Sequence, residues 1–402
     1  MILTIFTAGH VVIYKRDSRA AVGWIGVILI VPVIGAILYV IFGINRIKRK
    51  AIRKRRNIEK FVKQTSAFLC TIEYLKDFLP EKKKNLVHLG KVSNQVTRYS
   101  LLCGNSIVPL LYGDNAYPKM LEAINYSSNS ISLATYIFNN DIVGDMFINA
   151  LSEAVKRGVE VRVLIDDVGA HHTFPSVVKK LQQRGIKTKI FMPTFIPWGI
   201  PFINLRNHKK ILVIDGVTGF TGSMNIQEGN VLKNNPRNPI KDVHFEINGP
   251  IVRQLQKIFV EDWSFASKEI LTGEKWFPVL KEEGAIISRV INDGPDEDFI
   301  KQLKIILGAL ACAEESVRIV TPYFLPESEL ISAINGALMR GVKVDVVLPE
   351  KNNHRIVSWA SMAQLWQILE WGCKVWLNPL PFDHSKLMVV DNAWSMIGSA
   401  NW

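Results

Sequence analysis

The longest unbroken apolar stretch of the chain, Ala20 to Gly43, holds 24 residues and no charge. As one helix it would extend roughly 36 Å, more than the hydrocarbon core of about 30 Å. Pro32 sits in the middle, where a kink is expected, and Trp24 and Tyr39 lie towards the ends, where interfacial aromatics belong. A buried core helix of this length is unusual, and a cleaved signal would carry its charge before the apolar run. The pattern therefore predicts a membrane span over 20–43. Residues 1–14 are also apolar but short for a span. They leave two arrangements open, a helical hairpin turning through Lys15–Arg19 or a single span.

From residue 104 onward, strand-like and helix-like segments alternate, and they do so twice. ISLATYIF (131–138) has a counterpart in VRIVTPYF (317–324). AVKRGVEVRVLID (154–166) matches ALMRGVKVDVVLP (337–349), each reading as a helix end, a Gly turn and a β-branched strand. QQRGIKTKIF (182–191) matches ILEWGCKVWL (368–377). Strands alternating with helices of this length predict α/β units with mixed, parallel-rich sheets. Two copies predict two similar lobes related by pseudo-symmetry.

Each copy closes on the same cluster. The first is His208-Lys209-Lys210 with Asp215, then Ser223 and Asn225; the second is His384-Ser385-Lys386 with Asp391, then Ser399 and Asn401. In both, Lys follows His by two positions, Asp by seven, Ser by fifteen and Asn by seventeen. A lone His-x-Lys means nothing, but the duplicated set at equal offsets is very hard to reach by chance. In a strand, alternate side chains share a face, so His and Lys point together. Asp has the opposite parity, which suits it to fixing a strand end or turn. An imidazole, an ammonium, a hydroxyl and an amide on one surface suit a phosphodiester. One His can attack phosphorus, the other can shuttle the proton of the leaving and entering alcohols, and the lysines can hold the non-bridging oxygens. No metal or other cofactor is required, because the lysines supply the positive charge. The group Asp166, Asp167, His171 and His172 has metal-ligand residue types but no counterpart in the second copy.

Charge sharpens the choice of substrate. The net charge is +13, yet ten Lys/Arg and one acid fall between Arg46 and Lys63. Outside that run the chain is nearly balanced, which argues against a nucleic-acid partner. Basic residues directly after an apolar span mark the cytoplasmic side and attract anionic lipid. The expected location is the cell membrane, with the catalytic lobes on its cytoplasmic face. Four scattered cysteines exclude a disulfide scaffold or zinc ribbon. PTFIPWGIP (193–201) is an apolar insertion found in the first copy only: Gly185 precedes His208 by 23 residues, whereas Gly372 precedes His384 by 12. It suits either a loop dipping into the bilayer or a packed lid.

The doubled HxKxxxxD motif resembles the phospholipase D superfamily from about residue 104 to 402. The apolar span with its basic follower, TYIFNND (135–141), TPYFLPE (321–327) and KDVHFEINGP (241–250) are most similar to its bacterial cardiolipin synthase branch. The resemblance implies an N-terminal membrane region (1–45), a basic linker with a helical segment (46–103) and two phospholipase D-like repeats (104–280 and 281–402). It implies a phosphatidyltransferase that joins two phosphatidylglycerol molecules and releases glycerol. His208, Lys210, Asp215, His384, Lys386 and Asp391 would form the catalytic motifs. Ser223, Asn225, Ser399, Asn401, Tyr136 and Tyr323 would bind substrate. In the family a carboxylate orients one histidine, and Asp242 and Glu246 are the candidates. Family members usually continue beyond the second GSxN, so a chain ending at Trp402 is expected to lack the second-copy carboxylate and to be a truncated product with reduced or no activity. The competing expectations are a lipid or nucleic-acid phosphodiesterase and an inactive lipid-binding homologue.

Overall fold

A computed structural model describes residues 2–15, 18–44, 68–171, 176–193, 206–292 and 299–399. The basic run 46–63, most of the insertion after Pro193, His172 and Asn401 lie outside these residues.

The apolar N-terminus folds as α1 (Ile2–Tyr14), α2 (Ser18–Ile30) and α3 (Pro32–Leu38), with a π-helical turn over Tyr39–Gly43. The single helix expected over 20–43 is therefore corrected to two. Pro32 opens α3, since a residue without an N–H cannot continue α2. The break is sharp: a Cβ on Gly35 would lie 2.5 Å from the Val27 carbonyl oxygen. Val11, Ile28 and Tyr39 form a small core joining α1, α2 and the π-helical turn. The Tyr39 hydroxyl meets His10 Nδ1 at 2.9 Å. Among the described residues no helix is long and apolar enough to cross a membrane. Phe6, Ile13 and Ile30 lie on the outside of this cluster and are largely exposed.

Helices α4 (Ile72–Phe78) and α5 (Leu86–Val96) lead into the first sheet. Its strands are β1 (Leu102–Leu111), β2 (Ser130–Thr135), β3 (Glu160–Asp166), β4 (Lys187–Phe191), β5 (Ile211–Ile214), β6 (Thr218–Gly222), β8 (Val243–Asn248) and β9 (Ile286–Ser288), following a two-residue β7 (Ile240–Lys241) that lies outside it. The order is β4-β3-β2-β5-β6-β8-β1-β9. β2, β3 and β4 are parallel and the rest antiparallel. Helices α6 (Tyr112–Tyr126) and α7 (Ile142–Lys156) seal one face, and α10 (Val252–Ser267) covers the other. The short α8 (Asp167–Ala170) and α9 (Val177–Gln183) connect β3 to β4.

The second lobe repeats five of these strands. β10 (Ser316–Val320), β11 (Lys343–Pro349), β12 (Lys374–Asn378), β14 (Leu387–Val390) and β15 (Trp394–Ile397) lie in the order β12-β11-β10-β14-β15. The first three are again parallel and the last two antiparallel. The helices are α11 (Phe299–Cys312), α12 (Ser328–Met339), α13 (Arg355–Met362) and α14 (Trp366–Leu369). The glycines that end the matched helices adopt the same left-handed backbone, at φ +90° for Gly158 and +84° for Gly341. The lobes meet at a parallel ribbon: β13 (Phe382–Asp383) pairs with β7 of the first lobe. Leu387 and Ile397 add to the first lobe's core.

Candidate active site

Both histidines lie on irregular backbone just before a strand: His208 before β5 and His384 before β14. The strand parity inferred from sequence is thus realised one step earlier, on an extended lead-in. The two lead-ins match closely. Lys210 Nζ donates to the His208 carbonyl at 2.7 Å, and Lys386 Nζ donates to the His384 carbonyl at 2.7 Å. Each imidazole feels the ammonium of the opposite copy, His208 that of Lys386 and His384 that of Lys210. His208 also feels His384 itself. The fold therefore brings the two motifs into one site.

Aromatic rings frame it. Tyr136 stacks on His208 with centroids 4.3 Å apart, and Lys210 Nζ lies 5.2 Å over the same ring. Tyr323 meets His384 edge-on at 6.3 Å and donates its hydroxyl to Asn353 Oδ1.

The two histidines are held differently. His384 Nδ1 lies 3.0 Å from Asp242 Oδ2, and the His384 amide donates to the Lys241 carbonyl, so a lobe-two residue is anchored by lobe one. The other carboxylate oxygen of Asp242 takes the Ser223 hydroxyl and the Val243 amide. When His384 is neutral and Nδ1 donates to Asp242, Nε2 is the unprotonated nitrogen, and Lys386 Nζ lies 3.1 Å from it. Glu246, the other carboxylate candidate, instead receives the Asn248 side chain within β8.

His208 is held from below. The Asn207 amide donates to Asp166 Oδ2 at 2.8 Å, and its side chain donates to Asp262 Oδ2 at 3.0 Å. Lys209 Nζ closes the group at 2.7 Å from the same Asp262 oxygen. Asp166, Asn207 and Asp262 are all buried. Sequence had offered Asp166, Asp167 and His171 as metal-ligand types; the structure instead ties Asp166 to backbone, and His171 Nδ1 lies 2.8 Å from the Asp167 carbonyl oxygen. Among the described residues no group of three such side chains is arranged to hold an ion. Asn207 and Asp262 were not found in the sequence, which carries no local signal for a contact across 55 residues.

The remaining motif residues are placed as follows. Asp215 and Asp391, grouped with the catalytic motifs above, sit at the far ends of β5 and β14, away from the imidazoles. Asp215 accepts the amides of Ser128, Asn129 and Ser130; Asp391 accepts those of Glu314, Glu315 and Ser316. Both adopt left-handed backbone, at φ +51° and +52°. Both carboxylates fix turns. Asn225 Oδ1 takes the Ile137 amide, which holds the loop after Tyr136. Ser399 follows β15.

The electrostatics follow from crowding four cationisable groups in a dry cleft. Burial, then the ammonium groups of Lys210 and Lys386, pushes His208 down to about 3, so it is a neutral imidazole. Burial and Lys386 lower His384 too, but Asp242 opposes them. Burial would raise the Asp242 carboxyl, but the hydrogen bond and charge of His384 and the charge of Lys386 outweigh it and keep it below the usual range. Burial lowers Lys210 to about 8 and Lys386 to about 7. Above these values Lys210 and Lys386 lose their charge. The affinity for inorganic phosphate is therefore expected to weaken as pH rises from 7 to 9, by about tenfold per pH unit where one lysine titrates and by more where both do. Calorimetric titration would show it; an affinity flat over that range would mean that the lysines do not titrate there.

The sequence matches the family described as cardiolipin synthase, PLD-like domain, over residues 120–263 and 306–402. The chain belongs to this family. Residues 2–43 match a second family, the phospholipase D–nuclease N-terminal segment. The major cardiolipin synthase of Bacillus subtilis is 29% identical over 97% of this chain and 82% of its own length. Cardiolipin synthase 2 of Staphylococcus epidermidis is 30% identical over 96% and 80%. Among solved structures, phosphatidylserine synthase of Haemophilus influenzae superposes with a TM-score of 0.54 at 14% identity, covering 76% of this chain and 80% of that one. That likeness supports the two-lobed phospholipase D-like fold.

Proposed function

We propose that the protein is a membrane-bound phosphatidyltransferase that makes cardiolipin from two phosphatidylglycerol molecules and releases glycerol. The observation that carries this reading is the meeting of two His-x-Lys motifs from separate lobes at one cleft, in a chain of the cardiolipin synthase family.

The environments of the two imidazoles divide the labour. His208 is surrounded by cations and stays neutral, which suits a nucleophile. Asp242 favours the charged form of His384, which suits an acid–base group. In the first half, a ring nitrogen of His208 attacks phosphorus and the bond to the glycerol headgroup breaks; protonated His384 gives its proton to the departing oxygen. In the second, neutral His384 takes the proton from a glycerol hydroxyl of another phosphatidylglycerol. That oxygen displaces His208, which returns to its starting form. Lys210 and Lys386 hold the non-bridging oxygens, where negative charge grows. Tyr136 and Tyr323 flank the reacting phosphate.

The exposed apolar outside of α1–α3 fits lipid contact, and the basic run 46–63 suits the cytoplasmic leaflet. Phosphatidylglycerol labelled in its headgroup glycerol tests the reaction: full-chain protein in membranes is expected to give cardiolipin and free labelled glycerol, with EDTA without effect. Phosphatidic acid as the sole lipid product would identify a hydrolase instead, and complete inhibition by EDTA would contradict the lysine-based mechanism.

A further inference from the structure

Helices α13 and α14 carry an apolar stripe that no described residue covers. Ile356, Trp359, Met362, Trp366 and Leu369 recur every three or four residues and are all exposed, with Ile356 at 77% and Trp359 at 70%. Trp371 extends the stripe beyond α14. Between them Leu365 and Ile368 point inward and pack in the second lobe's core, so the helices are already seated and the stripe is their outer face. Large apolar side chains gathered on a soluble surface mark a contact site.

Two features identify the occupant. The stripe is rich in tryptophan, the side chain that partitions best to the boundary between headgroups and acyl chains. Its charged surroundings are net cationic: between residues 350 and 374 the charged residues are Lys351, Arg355 and Lys374 against Glu350 and Glu370, all exposed. Tryptophan with flanking cations complements the interface of an anionic bilayer. The stripe also begins beside the aromatic frame of the paired histidines. His354 caps α13, its ring lies 5.8 Å from that of Tyr323, and Tyr323 meets His384.

We propose that this face docks on an anionic phospholipid surface and lays the mouth of the cleft against the leaflet that supplies its substrate. The inference rests on the lipid reading above. The second lobe would then touch the membrane on its own account, beyond any anchoring by α1–α3, and a headgroup would reach His384 without its acyl chains leaving the bilayer.

Two measurements on the full chain test it. In vesicles containing phosphatidylglycerol and a bromine-labelled phosphatidylcholine, the fluorescence component missing from the double variant Trp359→Phe/Trp366→Phe is the signal of those two residues. It is expected to be quenched by bromine; an unquenched component overturns the proposal. Separately, the double variant Trp359→Ser/Trp366→Ser is expected to raise the apparent KM for bilayer phosphatidylglycerol about tenfold or more. Turnover of a short-chain, monomeric phosphatidylglycerol should be unchanged. Equal activity of variant and wild type on the bilayer substrate overturns the proposal, as does a loss confined to self-association, which would make the stripe a contact between copies. Quenching does not depend on turnover. Wild-type protein that is quenched yet makes no cardiolipin would therefore sink the transferase reading and leave the docking surface standing.

Discussion

Replacing either His208 or His384 by alanine is expected to abolish cardiolipin formation, but the two variants should fail at different steps. Loss of a proton-transfer group costs about 10²–10⁴ in rate, and loss of the nucleophile removes the covalent route altogether. A phosphatidyl ester with an acidic leaving group, such as a nitrophenolate, needs no proton donor to depart. His384→Ala should still be phosphatidylated by it, and the adduct should persist because no base activates the second alcohol. His208→Ala should form no adduct. Intact-protein mass spectrometry after mixing with that ester reads the outcome directly. An adduct on His208→Ala, or cardiolipin synthesis near the wild-type rate in either variant, would remove the basis for two imidazoles at one phosphorus. The split follows from surroundings rather than from residue type: His208 is ringed by Lys210, Lys386 and Arg206, while His384 has a carboxylate at Nδ1.

The second large effect belongs to Asp242. Asp242→Asn keeps the shape but loses the charge that favours protonated His384. A fall in kcat of roughly 10²–10³ is expected, with KM little changed, since the lysines that grip phosphate remain. The direction of the pH effect is fixed. Asp242 raises the pKa of His384, so its loss moves protonation to lower pH and the optimum should shift toward acid. Ser223→Ala removes only one of the hydrogen bonds to that carboxylate and should cost about tenfold or less. If Asp242→Asn lowered activity without moving the pH profile, Asp242 would be serving the packing between the lobes instead.

Much of this was legible because the information was repeated. Matched offsets in the two His-x-Lys copies, and the helix–glycine–strand units around them, anticipate a strand order that recurs as β4-β3-β2-β5-β6 and β12-β11-β10-β14-β15. Parity alone set Asp215 and Asp391 apart from their histidines, and their carboxylates indeed bind backbone amides at the far strand ends. What was hidden depends on distance in space. A strand rule cannot say that Asn207 finds Asp262 on α10; the family resemblance offered Asp242 or Glu246 as the orienting carboxylate, and only the fold selects Asp242, 142 positions from His384. At the N-terminus the kink expected at Pro32 is a full break: α2 ends there and α3 folds back onto Val27.

The ribbon between β7 and β13 has a consequence for biosynthesis. A nascent chain completes the first lobe, with His208 and its supports, well before Phe382–Asp383 leaves the ribosome to pair with Ile240–Lys241. Until that pairing forms, Asp242 has no imidazole to orient and His208 has no proton donor. On the proposed mechanism a half-made chain is therefore silent, and the surrounding lipids are spared until β13 has paired with β7.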